Sequence, residues 1–385
     1  MSSITLDKPA VTSSRISVPW QSYRSVLALM AILFLLSFLT EGTFFTPRNL
    51  TNLTRQVSIN GILAIGMTFV ILIGGIDLSV GSVVALSGVV AGLLQVNLGL
   101  SQWSGGQGWI ATTASVFVAV GVGIICGMFN GWFIVRHKIA PFIITLGMMV
   151  IARGLALILA KGAAIAPLSD QFNFIGQGYL STALSVFLIG FAGLGIMFFS
   201  LAQKDRGLSH YLTAATSAVL TSLAIWIFYS YRGLPVPVVI FGILGICGVL
   251  LLQKTCLGRF ILAIGGNPEA AWLAGVPLKR ISFEIYVLLG AFAGLCGAIL
   301  SARLNGALPT AGELFELDAV AAVVIGGTSL KGGIGTVKGS ILGAFFMGAL
   351  NNGMSLLDVN EFYQKVIKGM IIILAVWFDQ RSHSK

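Results

Sequence analysis

RQVSINGILAIGMTFVILIGGIDLSVGS, residues 55–82, decides the fold. An apolar run centred near Thr68 is long enough to cross a bilayer as a helix, which takes roughly 20 residues. It stops at Gly74 and Gly75, where the missing Cβ loosens the helix. A carboxylate, Asp77, follows at once, and both Asp77 and Ser79 can cap a helix that restarts toward Val90. Only helices and closed barrels satisfy their backbone groups in hydrocarbon. A span broken by glycines and restarted by capping residues therefore predicts an all-α fold with discontinuous helices.

The rest of the chain agrees. Its 385 residues are 56% hydrophobic and only 9% charged, with a mean hydropathy of +0.95, far from the composition of soluble domains. Apolar runs of roughly 17 residues or more recur throughout, which predicts a polytopic helical membrane protein. About twelve transmembrane helices can be placed, centred near Leu33, Thr68, Leu86, Ala119, Met149, Ala192, Ser222, Gly245, Phe292, Val324, Phe345 and Ile373. With the N-terminus inside, about two-thirds of the 23 Lys and Arg residues fall in cytoplasmic segments. That asymmetry puts both termini in the cytoplasm. The organisation expected is a leader over 1–24, read as preceding a retained anchor, one membrane domain over 25–379, and a cytoplasmic tail over 380–385.

Several function classes are excluded. The net charge of +10 is mostly a topology signal, because no loop is large enough to present a basic, aromatic-lined nucleic-acid surface. Cys126, Cys247, Cys256 and Cys296 lack paired spacing and suit small apolar roles. His137, His210 and His383 are far apart, so neither a metal site nor a cofactor is expected. GGIGTVKGS, residues 332–340, lacks the G-x-x-x-x-G-K-[ST] order of a phosphate loop. The chain should not hydrolyse ATP, and any ATP-driven step needs a separate subunit.

Two regions echo one another. Val70–Val90 (VILIGGIDLSVGSVVALSGVV) and Val323–Gly343 (VVIGGTSLKGGIGTVKGSILG) each join two apolar runs through a Gly-Gly pair and a polar turn. Internal repeats with interrupted helices are common in transport proteins; chance similarity between glycine-rich membrane segments is the alternative.

The cytoplasmic stretch 253–282 contains GGNPEAAWLAGVPLKR, Gly265–Arg280, too short to cross a bilayer but signalled as a short helix. Asn267 can cap it, Pro268 suits its first position, Glu269 favours its dipole, and Gly275 can close it ahead of Pro277. Two turns, roughly 10 Å, would expose Trp272 and Leu273. So short a helix is marginal alone and needs a groove on a soluble partner.

Polar groups inside the spans are candidates for a route. Asp77 is the only charged residue between Arg55 and Arg136. In mid-bilayer a carboxylate costs roughly 2.5–3.5 kcal/mol on insertion scales, so it caps a helix break, lines a route or carries a proton. Arg153 either pairs with Asp77 or donates to carbonyls at a broken helix. Ser79 belongs with Asp77. Asn60, Asn130, Asn305, Asn351 and Asn352 offer the paired donors and acceptors that sugar hydroxyls require, and serve equally as glue between helices.

The motifs now on the page carry a resemblance. RQVSINGILAIGMTFVILIGGIDLSVGS, PFIITLGMMVIARGLAL from Pro141, GRFILAIGGNPEAAWLAG from Gly258, ARLNGALPTAGELFELDAVAAVVIGGTSLKGG from Ala302 and NNGMSLL from Asn351 follow in order. Together they make the chain similar to the permease subunits of bacterial ABC importers for monosaccharides, the family of ribose, arabinose, galactose and xylose permeases. The resemblance implies a multi-pass inner-membrane location, a homodimeric or paired permease, two ABC ATPase subunits and a periplasmic sugar-binding protein. It also implies a coupling helix built from Gly266, Asn267, Glu269, Ala270, Ala271, Trp272, Leu273 and Gly275. An added helical pair over 183–231, split by QKDRGLSH, departs from shorter members and looks most like the xylose-type permeases. The sugar implied is D-xylose. An ion-coupled secondary transporter is the rival reading. It normally needs several intramembrane carboxylates, and here only Asp77 is convincingly placed.

Overall fold

A computed structural model of the chain describes residues 20–97, 99, 105–201 and 208–382. Residues 1–19 of the leader, 383–385 of the tail, and 202–207 between the paired helices lie outside the described residues, as do 98 and 100–104. Among the described residues the fold is all-α, with fifteen α-helices, one 3-10 turn and two isolated bridges. Six helices are long and apolar enough to cross a membrane: α2 (Pro47–Leu72), α4 (Gly105–His137), α5 (Pro141–Leu159), α8 (Leu208–Ser230), α9 (Val236–Lys254) and α12 (Leu278–Leu304). α1 (Trp20–Leu39), α3 (Val80–Asn97), α7 (Thr182–Leu201) and α10 (Cys256–Gly266) contribute shorter apolar stretches. The protein is a polytopic membrane protein.

α2 and α12 form the centre. Their most apolar windows are 83% and 72% buried, against 17% for α8. Thr46 caps α2 by accepting from Asn49 N–H, and Pro47 occupies its first turn. Residues 44–56 run from the 3-10 turn Thr43–Phe45 through the Thr46 cap into the start of this helix, with Phe44 fully buried.

Glycines set how close the helices come. A Cβ on Gly123 of α4 would overlap the Gly290 carbonyl of α12, and one on Gly290 would overlap the Gly123 carbonyl. Gly127 and Gly294 continue this backbone-to-backbone contact. Without water as a driving force, such contacts supply the dispersion and Cα–H···O attraction that holds membrane helices together. α3 joins in the same way, with Gly88 against Gly297.

α7 and α8 pack mainly on each other, Gly193 of one facing Thr221 of the other. Two backbone bonds, Leu180 N–H to Leu234 O at 2.9 Å and Val236 N–H to Gly178 O at 3.0 Å, bring the ends of this pair together. The hairpin thus leaves and re-enters the fold at one point, as a tolerated insertion must.

One span is a half-helix. α13 (Phe315–Ile325) has 11 residues, roughly 16 Å, too short to cross alone; the span expected near Val324 is completed by irregular chain. α12 and α3 run parallel, and the chain turns back after α12: Gly92 meets Ala307, while Gly81 meets Gly312. The segment 307–312 therefore descends beside three turns of α3, roughly 16 Å. α13 then continues inward as an antiparallel hairpin with α14 (Val337–Leu356), Ala322 facing Gly343 and Gly326 facing Gly339. α15 (Glu361–Ser382) packs beside α13. Both echoing stretches, 70–90 and 323–343, fold as helix, irregular segment and helix.

The Gly290→Val variant should overpack the α4–α12 contact and destabilise the fold by about 1–3 kcal/mol. Gly147→Ala, at a site with open space for a Cβ, should leave it intact. Thermal unfolding of both purified variants in mild detergent checks this.

Candidate functional site

The polar residues singled out in the sequence separate into distinct clusters. Asp77, Ser79 and Asn130 gather at the break between α2 and α3. Asp77 Oδ1 accepts from Ser79 N–H at 2.8 Å and Ser79 Oγ at 2.6 Å. Asn130 Nδ2 donates to Asp77 Oδ2 at 3.2 Å and to Ser79 Oγ at 3.0 Å. Ser79 O accepts from Val83 N–H, so Ser79 is the residue from which α3 starts. All three side chains are buried. The carboxylate is spent on holding the restart of a helix.

Arg153 is elsewhere. Its Nη1 donates to Pro309 O at 2.7 Å and Ala311 O at 2.8 Å, two carbonyls of the returning segment. Of the two roles open to it, donation at a broken helix is the one the geometry makes, and the Asp77 pairing is not formed. Glu316 Oε2 lies over Gly81 beside this segment. Glu313, on the same segment, bonds Lys365 of α15 at 2.9 Å.

Asn351 Nδ2 donates to Asp318 Oδ2 at 3.2 Å, Lys368 Nζ donates to the same oxygen at 3.2 Å, and Asn60 Nδ2 approaches it at 3.5 Å. Asn352 and Asn49 exchange reciprocal amide bonds of 3.0 and 2.9 Å, pinning α14 to α2. Asn305, in the left-handed conformation that ends α12, accepts from Leu168 N–H at 3.1 Å and Asn173 Nδ2 at 2.7 Å. Asn305 and Asn352 thus fasten structure at α12's end and between α2 and α14.

The short helix forms as its caps demand. It is α11 (Pro268–Leu273), with Asn267 Oδ1 accepting from Glu269 N–H and Ala270 N–H at 3.0 Å each. Gly275 is left-handed at φ +81° and ends it. Trp272 and Leu273 are 66% and 79% exposed, Glu269 and Ala270 are also exposed, and Ala271 is turned inward at 4%. α10, capped by Thr255, precedes it and buries Ile261 and Ile264.

α11 does not hang free. Gly265, two residues before its cap, lies so close to the Leu72 carbonyl and Gly333 N that a Cβ there would overlap both. Gly333 N–H donates to Leu72 O at 2.9 Å. Gly332, left-handed like Gly333, packs on Gly74 and Gly265. The end of α10, the α2–α3 break and the α13–α14 loop therefore meet at one backbone junction.

Sequence reasoning missed this junction, and missed Asp318, Glu313, Glu316 and Lys368. Lys365 and Lys368 lie on one helical face, a weak signal that something opposes them.

The comparisons fit this architecture. Residues 49–376 match the family described as branched-chain amino acid transport system / permease component. The chain is 40% identical over 379 residues to the xylose transport system permease protein XylH of Haemophilus influenzae, covering 96% of this chain and 98% of that one. Identity to the protein of the same name from Escherichia coli K12 is 39% over 376 residues, covering 94% and 92%. To the ribose import permease protein RbsC of Bacillus subtilis it is 38% over 358 residues, covering 92% and 91%. No solved structure matches. The chain belongs to this family of transport-system permease components. It is a multi-pass bacterial inner-membrane protein and a transport subunit, not the subunit that hydrolyses ATP.

Adjacent glycines test the junction. Gly265→Ala forces backbone against Leu72 and Gly333, while Gly266 has open space for a Cβ. Transport should fall at least about tenfold in Gly265→Ala, as expected of an overpacking strain above 1 kcal/mol, and stay near wild type in Gly266→Ala. Initial-rate uptake at matched membrane levels makes the comparison.

Proposed function

We propose that the chain is the permease subunit of an ATP-driven importer that moves a monosaccharide, the pentose D-xylose, across the inner membrane. A periplasmic sugar-binding protein delivers the sugar, two ABC ATPase subunits drive the cycle, and a second permease copy completes the pathway. The names of the relatives at 38–40% identity support the sugar class, and two of those quoted above carry xylose in theirs. In this reading the chain inserts α1, α2, α3, α4, α5, α7, α8, α9, α12, the 307–325 half-span, α14 and α15, about twelve passes with both termini cytoplasmic. One membrane domain spans 25–379, with a coupling loop over 253–282 and the added pair over 183–231.

The observation that carries this reading is α11. A six-residue helix is far below the length that is stable alone, yet it is fully capped, presents Trp272 and Leu273 outward, and leads into the junction of two interrupted helices. Aromatic and aliphatic anchors on a rigid, capped element suit insertion into a partner's groove. Gly266, Asn267, Glu269, Ala270, Ala271, Trp272, Leu273 and Gly275 form the coupling element, Ala271 seating it and Trp272 and Leu273 contacting the ATPase. The route runs past Arg153 and Asn351. Asp77, Ser79 and Asn130 hold the break that borders it.

A mild-detergent purification from native membranes tests the assignment. The wild-type chain should carry a P-loop ATPase with it, and Leu273→Glu should lose that partner while remaining folded. Burying a charge in an apolar groove costs at least a few kcal/mol, enough to lower occupancy by about a hundredfold or more. A chain that purifies alone and moves pentose down an ion gradient would establish a secondary transporter instead.

A further inference from the structure

One cavity, between α5 and the segment that returns after α12, is both charged and open. It measures about 460 Å³ and is lined by Arg153, Glu313 and Glu316, with Met149, Val150 and Leu157 as its apolar wall. Glu313 is occupied by Lys365 at 2.9 Å. Arg153 and Glu316 are not matched in this way. They interact electrostatically, yet they do not close into an ion pair. Arg153 spends Nη1 on the Pro309 and Ala311 carbonyls, which leaves Nε and Nη2 without a protein acceptor. No other residue donates to the Glu316 carboxylate. Both side chains are half-buried, and none of these four free atoms is among the polar atoms sealed away without a partner. They stay accessible in the cavity their residues line. Charged groups in a membrane domain face the protein interior or a water-filled space, so the open side of this cavity belongs to an aqueous route and not to hydrocarbon.

We propose that this cavity is a sugar-binding station, in which one hydroxyl of a monosaccharide donates to the Glu316 carboxylate while a neighbouring hydroxyl accepts from Arg153 Nε or Nη2. An ionised carboxylate only accepts and a guanidinium only donates, so a ligand that bridges them must do both. An anion is opposed by Glu316, and a cation by Arg153. With Glu313 held by Lys365, the remaining charges balance. A vicinal diol gives each group what it lacks and carries no charge of its own. Met149, Val150 and Leu157 offer the C–H face of the sugar ring an apolar wall, and the volume lies in the range of small-molecule sites. Gly154 also lines the cavity and leaves space, since a Cβ there meets nothing within 4 Å. The site deepens the importer reading and rests on it: it gives Arg153 a partner across the route, Glu316, and gives the pair a shared ligand chemistry.

The test uses the whole complex, permease with its ATPase and binding protein, reconstituted in proteoliposomes with labelled D-xylose as probe. The readout is sugar moved per ATP hydrolysed. Glu316→Leu removes the acceptor and should lower that ratio about thirtyfold, the worth of one hydrogen bond to a charged group. Glu316→Gln leaves Arg153 without its counter-charge but keeps the shape and a carbonyl acceptor, and should lower the ratio by no more than about fivefold. Gly154→Leu fills the cavity from a position with open space. It should lower the ratio about as far as Glu316→Leu with both charges in place, which covers failure of that variant to assemble. A wild-type ratio in Gly154→Leu, or equal losses in Glu316→Gln and Glu316→Leu, overturns the site and leaves Glu316 as a counter-charge to Arg153. A wild-type complex whose ATPase ignores sugar-loaded binding protein overturns the importer reading itself.

Discussion

Interrupted backbone inside a membrane has to find its hydrogen bonds within the protein, and this fold is arranged around that requirement. At the first break the Asp77 carboxylate takes the N–H of Ser79 where α3 has no preceding turn. On the returning segment after α12, Arg153 supplies the donors that the Pro309 and Ala311 carbonyls lack. At the third, the N–H of Gly333 is given to the last carbonyl of α2. Two of these solutions put a charged group in the apolar layer, where each is tolerated because it replaces a hydrogen bond a continuous helix would have made.

Close approach is the second half of the design. The breaks are flanked by α3, α4 and α12, which pack backbone to backbone through Gly88, Gly123, Gly127, Gly290 and Gly294. The same device works at the junction beside α11. Gly265, Gly332 and Gly333 let three chain segments meet with no side chain between them. Packed backbone has little give, and α11 leads directly into this junction. The α7–α8 pair, fastened at one point and packed mostly on itself, stands outside this rigid group.

Polar residues in the membrane divide by whether their hydrogen bonds are complete. The Asp77 carboxylate is fully employed: Oδ1 holds Ser79 and Oδ2 holds Asn130. The Asn49–Asn352 pair is reciprocal and closed. Asp318 has the same chemistry as Asp77 but directs every donor to one oxygen and lines a cavity.

The sequence by itself determined the class of protein and its local punctuation. Hydropathy marked the long apolar helices, six of them long enough to cross a membrane, because apolar length is a property of consecutive residues. The caps at Asp77–Ser79 and Asn267–Pro268, and the closing Gly275, were legible because capping acts over two or three residues. Trp272 and Leu273 were rightly placed on an exposed face. Only the tertiary structure decided which polar residues meet. Arg153 finds carbonyls some 156 and 158 positions away, not Asp77. Asp318 finds Lys368 across 50 residues, and Gly333 finds Leu72 across the whole fold. The half-span at α13 was equally hidden, since its apolar residues run on into glycines that hydropathy cannot tell from a helix. Pairings of this kind depend on helix order and tilt, which glycine contacts fix in three dimensions and no local pattern records.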